Sequence, residues 1–216
     1  MKHQHILVFL LLIGLAMPAV AQRNDKKVEE RVQLARDRYA AGLDNISTNK
    51  EYERDGIPAV HYTTIVRKQN WAGSGMSNDK MDFYYNEMED EMEPSPVGYE
   101  LVMVRRSYNM GSMDYFEEYV YDAEGNPLFW FTRFGYKEGS TYHNKFELRG
   151  YYFADGSLAR TICKKMDEKG EMKTCSVDEP LSEYGEATLE STFGHALEHF
   201  REFKAVFTTL YGMQYY

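Results

Sequence analysis

DYFEEYVYDAEGNPLFWFTRF, residues 114–134, is the stretch that decides the fold class. Asp114–Tyr121 is rich in tyrosine and phenylalanine at strand spacing, Asp122-Ala123-Glu124-Gly125-Asn126 carries the chemistry of a turn, and Leu128–Phe134 resumes the aromatic pattern. Two strands joined by a hairpin follow. A second hairpin begins at Phe146–Ala154, turns at Asp155-Gly156 and returns as Leu158–Lys165. Read as a two-residue turn, which demands positive φ, Asp155-Gly156 puts Phe153 opposite Leu158 and Leu148 opposite Cys163. Consecutive hairpins make an antiparallel meander.

Outward from this centre, Val60–Lys68, Met81–Tyr85 and Tyr99–Tyr108 read as further strands, separated by loops at Asn70–Lys80 and at the acidic stretch Asn86–Gly98. On the N-terminal side, Val28, Val32, Ala35, Tyr39, Leu43 and Ile46 recur at steps of three and four, which predicts an amphipathic helix over 25–47, weakened near its end by Gly42. On the C-terminal side, Leu189, Phe193, Ala196, Leu197, Phe200, Phe203, Phe207 and Leu210 predict a second helix over 185–211 with an aromatic stripe that must be buried. The predicted fold is α+β: an antiparallel meander of about seven or eight strands over 58–178, packed with helices in 22–50 and 185–211, all in one domain spanning 22–216. Within the first hairpin, Tyr119 and Trp130 share one sheet face, while Phe116, Phe129 and Phe131 share the other. Either both faces are covered or one is a binding surface.

The two hairpins are alike: Tyr119-Val120-Tyr121-Asp122-Ala123-Glu124-Gly125-Asn126-Pro127-Leu128 matches Tyr151-Tyr152-Phe153-Ala154-Asp155-Gly156-Ser157-Leu158 in its aromatic, acidic-turn, glycine, leucine order. Over 115–165 this resembles the hairpin unit of MORN-type β-repeat proteins. The resemblance implies a hairpin meander and carries no active site. The whole chain also resembles small exported proteins of Bacteroidetes-type bacteria, which implies no function.

The first residues address the chain. Lys2, the apolar run Ile6–Leu15 and the small residues Ala19-Val20-Ala21 make a secretory signal peptide over 1–21, cleaved near Ala21. Its apolar core is too short for a membrane span, so the expected product lies in the periplasm or outside the cell with no transmembrane segment. A net charge of -9, one unit more negative once Lys2 is lost, disfavours nucleic acid as a partner. Cys163 and Cys175, the only two cysteines, flank Asp167-Glu168-Lys169-Gly170. A hairpin there would set them opposite each other, and an oxidising compartment favours a disulfide.

One reactive motif stands out. His195-Ala196-Leu197-Glu198-His199 fits H-x-x-E-H, the signature of the inverted zinc proteases, with two imidazoles one helical turn apart and a glutamate to activate water. The resemblance covers five residues, the third ligand is not identified, and the histidines fall on the flank of the aromatic stripe. A zinc-dependent hydrolase built on His195, Glu198 and His199 is therefore the third reading. The methionines between Met76 and Met113 read as core filling or loop residues rather than a copper site. There is neither a P-loop nor a dinucleotide fingerprint, and no cofactor is expected. Trp71, in a glycine-rich loop, and Trp130 with Tyr119, in mid-sheet, are the candidate ligand-binding aromatics. The leading expectation is an exported, non-catalytic protein that binds a protein or envelope component; the alternative is a carrier of a small ligand or metal.

Overall fold

A computed structural model describes residues 2–56, 62–72, 75–89, 92, 96–136, 145–178 and 189–212; of these, the side chains of 2–24, 71, 189 and 190 are not described. The chain runs α1 (Lys2–Arg54), β1 (Tyr62–Trp71), β2 (Gly75–Met88), β3 (Gly98–Met110), β4 (Met113–Tyr121), β5 (Pro127–Tyr136), β6 (Lys145–Tyr152), β7 (Leu158–Met166), β8 (Met172–Thr174) and α2 (Leu189–Tyr211). The eight strands form one antiparallel sheet in sequence order. A helix covers each face: α1 lies on Tyr84, Val102, Met103, Val120 and Phe129, and α2 lies on Phe83, Val104, Tyr119, Tyr121, Trp130 and Tyr152. Among the described residues, no helix is long and apolar enough to cross a membrane.

Three hairpin turns share one geometry. Asp122 N–H donates to Asn126 O and Gly125 N–H to Asp122 O, a pattern repeated at Phe153, Gly156 and Ser157 and again at Asp167, Gly170 and Glu171. The glycines hold φ of 73°, 85° and 82°, the left-handed conformation that closes a three-residue loop at low steric cost. The third copy, between β7 and β8, lacks the aromatic signature of the other two.

This turn corrects the expected register of the second hairpin. Leu148 does face Cys163, but the extra loop residue shifts the pairing between Tyr151 and Tyr152, and Tyr152, not Phe153, faces Leu158. A second correction concerns Asn70–Lys80, expected as a loop. β1 runs through to Trp71 and β2 starts at Gly75, with Trp71 paired to Gly75, so most of that stretch is strand. Its polar side chains hid the strand because the tip of the hairpin, 66–70 and 75–76, is exposed on both faces, burial resuming only at Asp79. Residues 58–61 and 185–188 of the expected elements, and most of the acidic stretch after Met88, lie outside the described residues.

The helices obey their stripes with one exchange. Val32, Ala35 and Ile46 are buried, but Leu43 is 38% exposed and Gly42 takes its place on the buried face. A Cβ at Gly42 would come within 2.5 Å of Met103 Cε, so glycine here lets the helix approach the sheet and does not end it. On α2, Phe193, Ala196, Phe200, Phe203 and Phe207 are buried as expected, while Leu210 is exposed.

Candidate ligand pocket

Side chains of alternate residues on neighbouring strands line up in rows across the sheet. On the α2 face one row is Phe83, Val104, Tyr119 and Trp130, directly opposite one another on β2 to β5. The next is Met81, Arg106, Glu117, Thr132, Leu148 and Cys163, and the third is Asp79, Tyr108, Tyr115, Phe134, Phe146 and Lys165. The middle row places charge and hydroxyl in what is otherwise an apolar layer.

That charge is tightly organised. The Arg106 guanidinium donates to both Asp79 carboxylate oxygens at 2.9 Å, and Arg67 reaches the same carboxylate at 2.6 Å. Burial opposes the ionised form of Asp79, but the two guanidiniums win and hold its pKa below the usual value. Glu117 is 6% exposed. Tyr119 donates its hydroxyl to Glu117 Oε2 at 2.9 Å, and Arg106 Nη1 lies 3.5 Å from that oxygen. Here burial wins: the Glu117 pKa is raised even though Arg106, Tyr119 and His199 all favour its charged form. Two neighbouring carboxyl groups are thus pushed in opposite directions.

The outer row is an aromatic ladder. Tyr108 stacks on Tyr115 with centroids 4.5 Å apart and planes 3° from parallel; Tyr115 stacks on Phe134 at 5.6 Å and Phe134 on Phe146 at 5.2 Å. Arg106 sits over Tyr108 at 4.2 Å, and Lys165 sits over Phe146 at 5.7 Å. A cation therefore covers a ring at each end of the ladder.

Between this ladder and α2 opens a pocket of about 510 Å³. Its lining includes Glu117, Trp130 and Thr132 from the sheet and His195, Glu198 and His199 from the helix. Trp130 and Thr132 are each 2% exposed, yet Trp130 Nε1 and Thr132 Oγ1 have no hydrogen-bond partner among the described residues. Leaving a buried polar group without a partner costs about 1–3 kcal/mol. Two in one pocket lining are an unusual concentration of that cost.

The structure brings the candidate site residues together only in part. Trp130 lines the pocket, and Tyr119, fully buried, supports it through Glu117. Trp71 ends β1 rather than sitting in a loop, and its side chain lies outside the described residues. His195 and Glu198 are exposed at the pocket mouth. His199 stacks on Phe203, with Nε2 3.3 Å from Arg106 Nη1 and Nδ1 3.2 Å from Glu202 Oε2. The tautomer with Nδ1–H donating to Glu202 and Nε2 accepting from Arg106 satisfies both contacts. A metal on that Nε2 would have to displace a guanidinium. Among the described residues, no three His, Cys, Asp or Glu side chains gather as a metal-binding group.

The two cysteines of the expected disulfide are free thiols in the structure. Cys175 N–H donates to Cys163 O at 3.1 Å, so the two residues meet across β7 and the end of β8, but no disulfide joins them. Burial, with a smaller contribution from Cys175, pushes the Cys163 thiol up to about 11, away from the thiolate that attacks a disulfide.

Sequence reasoning missed Arg106, Glu117 and Thr132. Glu117 and Thr132 lie at alternate positions beside Tyr119 and Trp130, so the period-two pattern already assigned them to the covered face; a carboxylate on a buried face was the available signal. No protein-family model, curated protein or solved structure matches this chain.

Proposed function

We propose that this is an exported, non-catalytic binding protein that carries a small molecule in the pocket between the aromatic ladder and α2. The observation that carries the reading is the cavity itself, about 510 Å³ between three strands of the sheet and α2. The cavity volume falls within the range of small-ligand sites, and its walls mix aromatic and polar side chains as such sites do. With both faces of the central sheet under helices, the aromatic surface offers less to a protein or envelope component than the pocket offers to a ligand. Export rests on the sequence of residues 1–21.

In an oxidising compartment the two thiols close into a disulfide by exchange with an oxidised dithiol carrier, which leaves reduced as the bond forms. Their position opposite one another on an antiparallel pair suits the bond, because paired Cα atoms there are about 5.5 Å apart.

Native mass spectrometry of the protein purified from its own host tests the reading. The expected result is a chain beginning at Gln22, two hydrogens lighter than the dithiol, with an additional mass of a few hundred daltons or less that is lost on denaturation. A bare chain, repeatedly obtained, would overturn the carrier function. Retention of residues 1–21 on protein recovered from outside the cytoplasm would overturn the signal cleavage.

A further inference from the structure

Part of the sheet face beneath α1 stays open. α1 lies on the row Met103, Val120, Phe129 and Tyr151, and its Tyr39 reaches Glu118 in the next row. Beyond that runs the row Lys80, Ser107, Phe116, Arg133, Glu147 and Lys164, in which Lys80, Ser107 and Arg133 are exposed. Guanidiniums lie over the rings of these two outer rows: Arg105 and Arg133 each sit 5.7 Å from the Phe116 centroid, and Arg149 sits 5.4 Å from that of Phe131. Cations also outnumber acids. Lys80 is paired with Asp82, Arg105 with Glu118 and Arg149 with Glu147, whereas Arg133 and Lys164 make no ion pair among the described residues. Glu147 stands between those two in register, but the guanidinium within salt-bridge distance of it is that of Arg149. A cationic face on a chain of net charge -9 is fitted to an anion.

The chain carries such an anion itself. Glu87-Met88-Glu89-Asp90-Glu91-Met92-Glu93 has five carboxylates in seven residues. Met88 is 51% exposed and Met92 87% exposed, so the segment offers thioethers to rings as well as carboxylates to guanidiniums. It cannot reach the cationic face of its own chain. Met88 pairs with Gly98 and accepts from Val97 N–H, so residues 89–96 leave and re-enter the sheet at one point, and eight residues tethered in this way extend at most about 14 Å from it. Lys80 and Ser107 lie eight and nine residues back along β2 and β3, about 27–30 Å away at the rise of a strand. Arg133 and Lys164, on β5 and β7, are farther still. We propose that this cationic face docks the acidic segment 87–93 of a second copy of the chain. Face and segment sit at opposite ends of the strands, so the contact is head-to-tail and builds rings or open chains rather than a two-fold dimer. The proposal is independent of the carrier reading.

The test is sedimentation velocity of the purified protein at rising concentration. At about 0.1 M salt, where screening over about 10 Å confines the net repulsion between copies, the average mass is expected to climb above that of one chain; at about 1 M salt it is expected to fall back to one chain. Two double variants, Arg133→Glu with Lys164→Glu and Glu89→Lys with Glu91→Lys, are each expected to weaken association at least about tenfold while keeping the wild-type urea midpoint, since exposed charges contribute little to folding. Mixing the two is expected to restore association, because the acidic segment of the first meets the intact face of the second. Should the reversed charges on the face disturb folding, Arg133→Gln with Lys164→Gln, which adds no new charge, is expected to weaken association in the same direction. A single-chain mass at every concentration overturns the proposal. So does association that resists high salt, that survives either double variant, or that fails to return in the mixture.

Discussion

The two faces of the sheet are closed by different physics. Beneath α2 the contact is made of rings: Phe200 lies edge-on to Tyr119 and Tyr121, Phe203 to Phe83 and Tyr119, and Phe193 to Trp130. Polar ties there are mostly single hydrogen bonds: the Tyr121 and Tyr152 hydroxyls donate to the Phe200 and Phe193 carbonyls, Arg106 meets His199, Lys204 donates to the Glu124 carbonyl, and the Thr63 and Tyr211 hydroxyls meet. Beneath α1 the apolar contact is thinner, and charged side chains hold the helix. Arg31 donates to Asp122 and to the Pro127 and Tyr152 carbonyls, Arg38 to Glu100 and the Tyr121 carbonyl, and Tyr39 to Glu118. Rings are tolerant of small displacements, whereas guanidinium clamps fix position. The pocket belongs to the ring-closed face, where a helix can sit slightly away from the sheet.

Phe200→Ala probes the first kind of contact and carries the largest expected effect, a loss of about 3–5 kcal/mol in urea unfolding. Arg31→Ala probes the second and is expected to cost about 2–3 kcal/mol, because it removes charge-assisted hydrogen bonds and leaves the buried Asp122 carboxylate with Asn126 but without its cation. Should Arg31→Ala prove the more damaging, the clamps and not the rings would be the main support of the fold.

A smaller effect separates the two carboxyl groups beneath α2. Glu117 holds its proton more tightly in the folded chain than in the unfolded one, so it favours folding while protonated, and that advantage is lost as pH rises from about 4.5 through its raised folded value. Glu117→Gln should remove that decline in the urea midpoint. Asp79 has the opposite sign: its contribution is present above its ordinary value of 3.8 and is lost as pH falls through the lowered folded value, and Asp79→Asn should remove that loss. Identical pH profiles for wild type and both variants would mean that neither carboxyl is perturbed by folding.

How much of this was legible in the sequence varies by element. The central hairpins were readable because Tyr119, Trp130 and their neighbours alternate and because Gly125 and Gly156 mark the turns. The three-residue length of the second turn was not, since Asp155-Gly156 fits two turn types and only the hydrogen bond from Phe153 to Ser157 decides between them. The helix stripes were readable from spacing, except at Gly42, whose burial depends on a methionine elsewhere in the chain. The pocket was least legible. Its parts come from β3 to β5 and α2, and the strands bring Arg106, Glu117 and Thr132 together only through register.

The strictly sequential order of the strands has a consequence for how the chain acquires its structure. The entropy lost in closing a loop grows with its length, and each strand pairs with the next one along the chain, several across very short turns. The sheet can therefore zip up one hairpin at a time from contacts of low order, a route that favours rapid folding. The exceptions are the two helices, and α1 waits longest. Arg31 finds the Tyr152 carbonyl 121 residues away, so the first helix to leave the ribosome is among the last to gain its full docking surface.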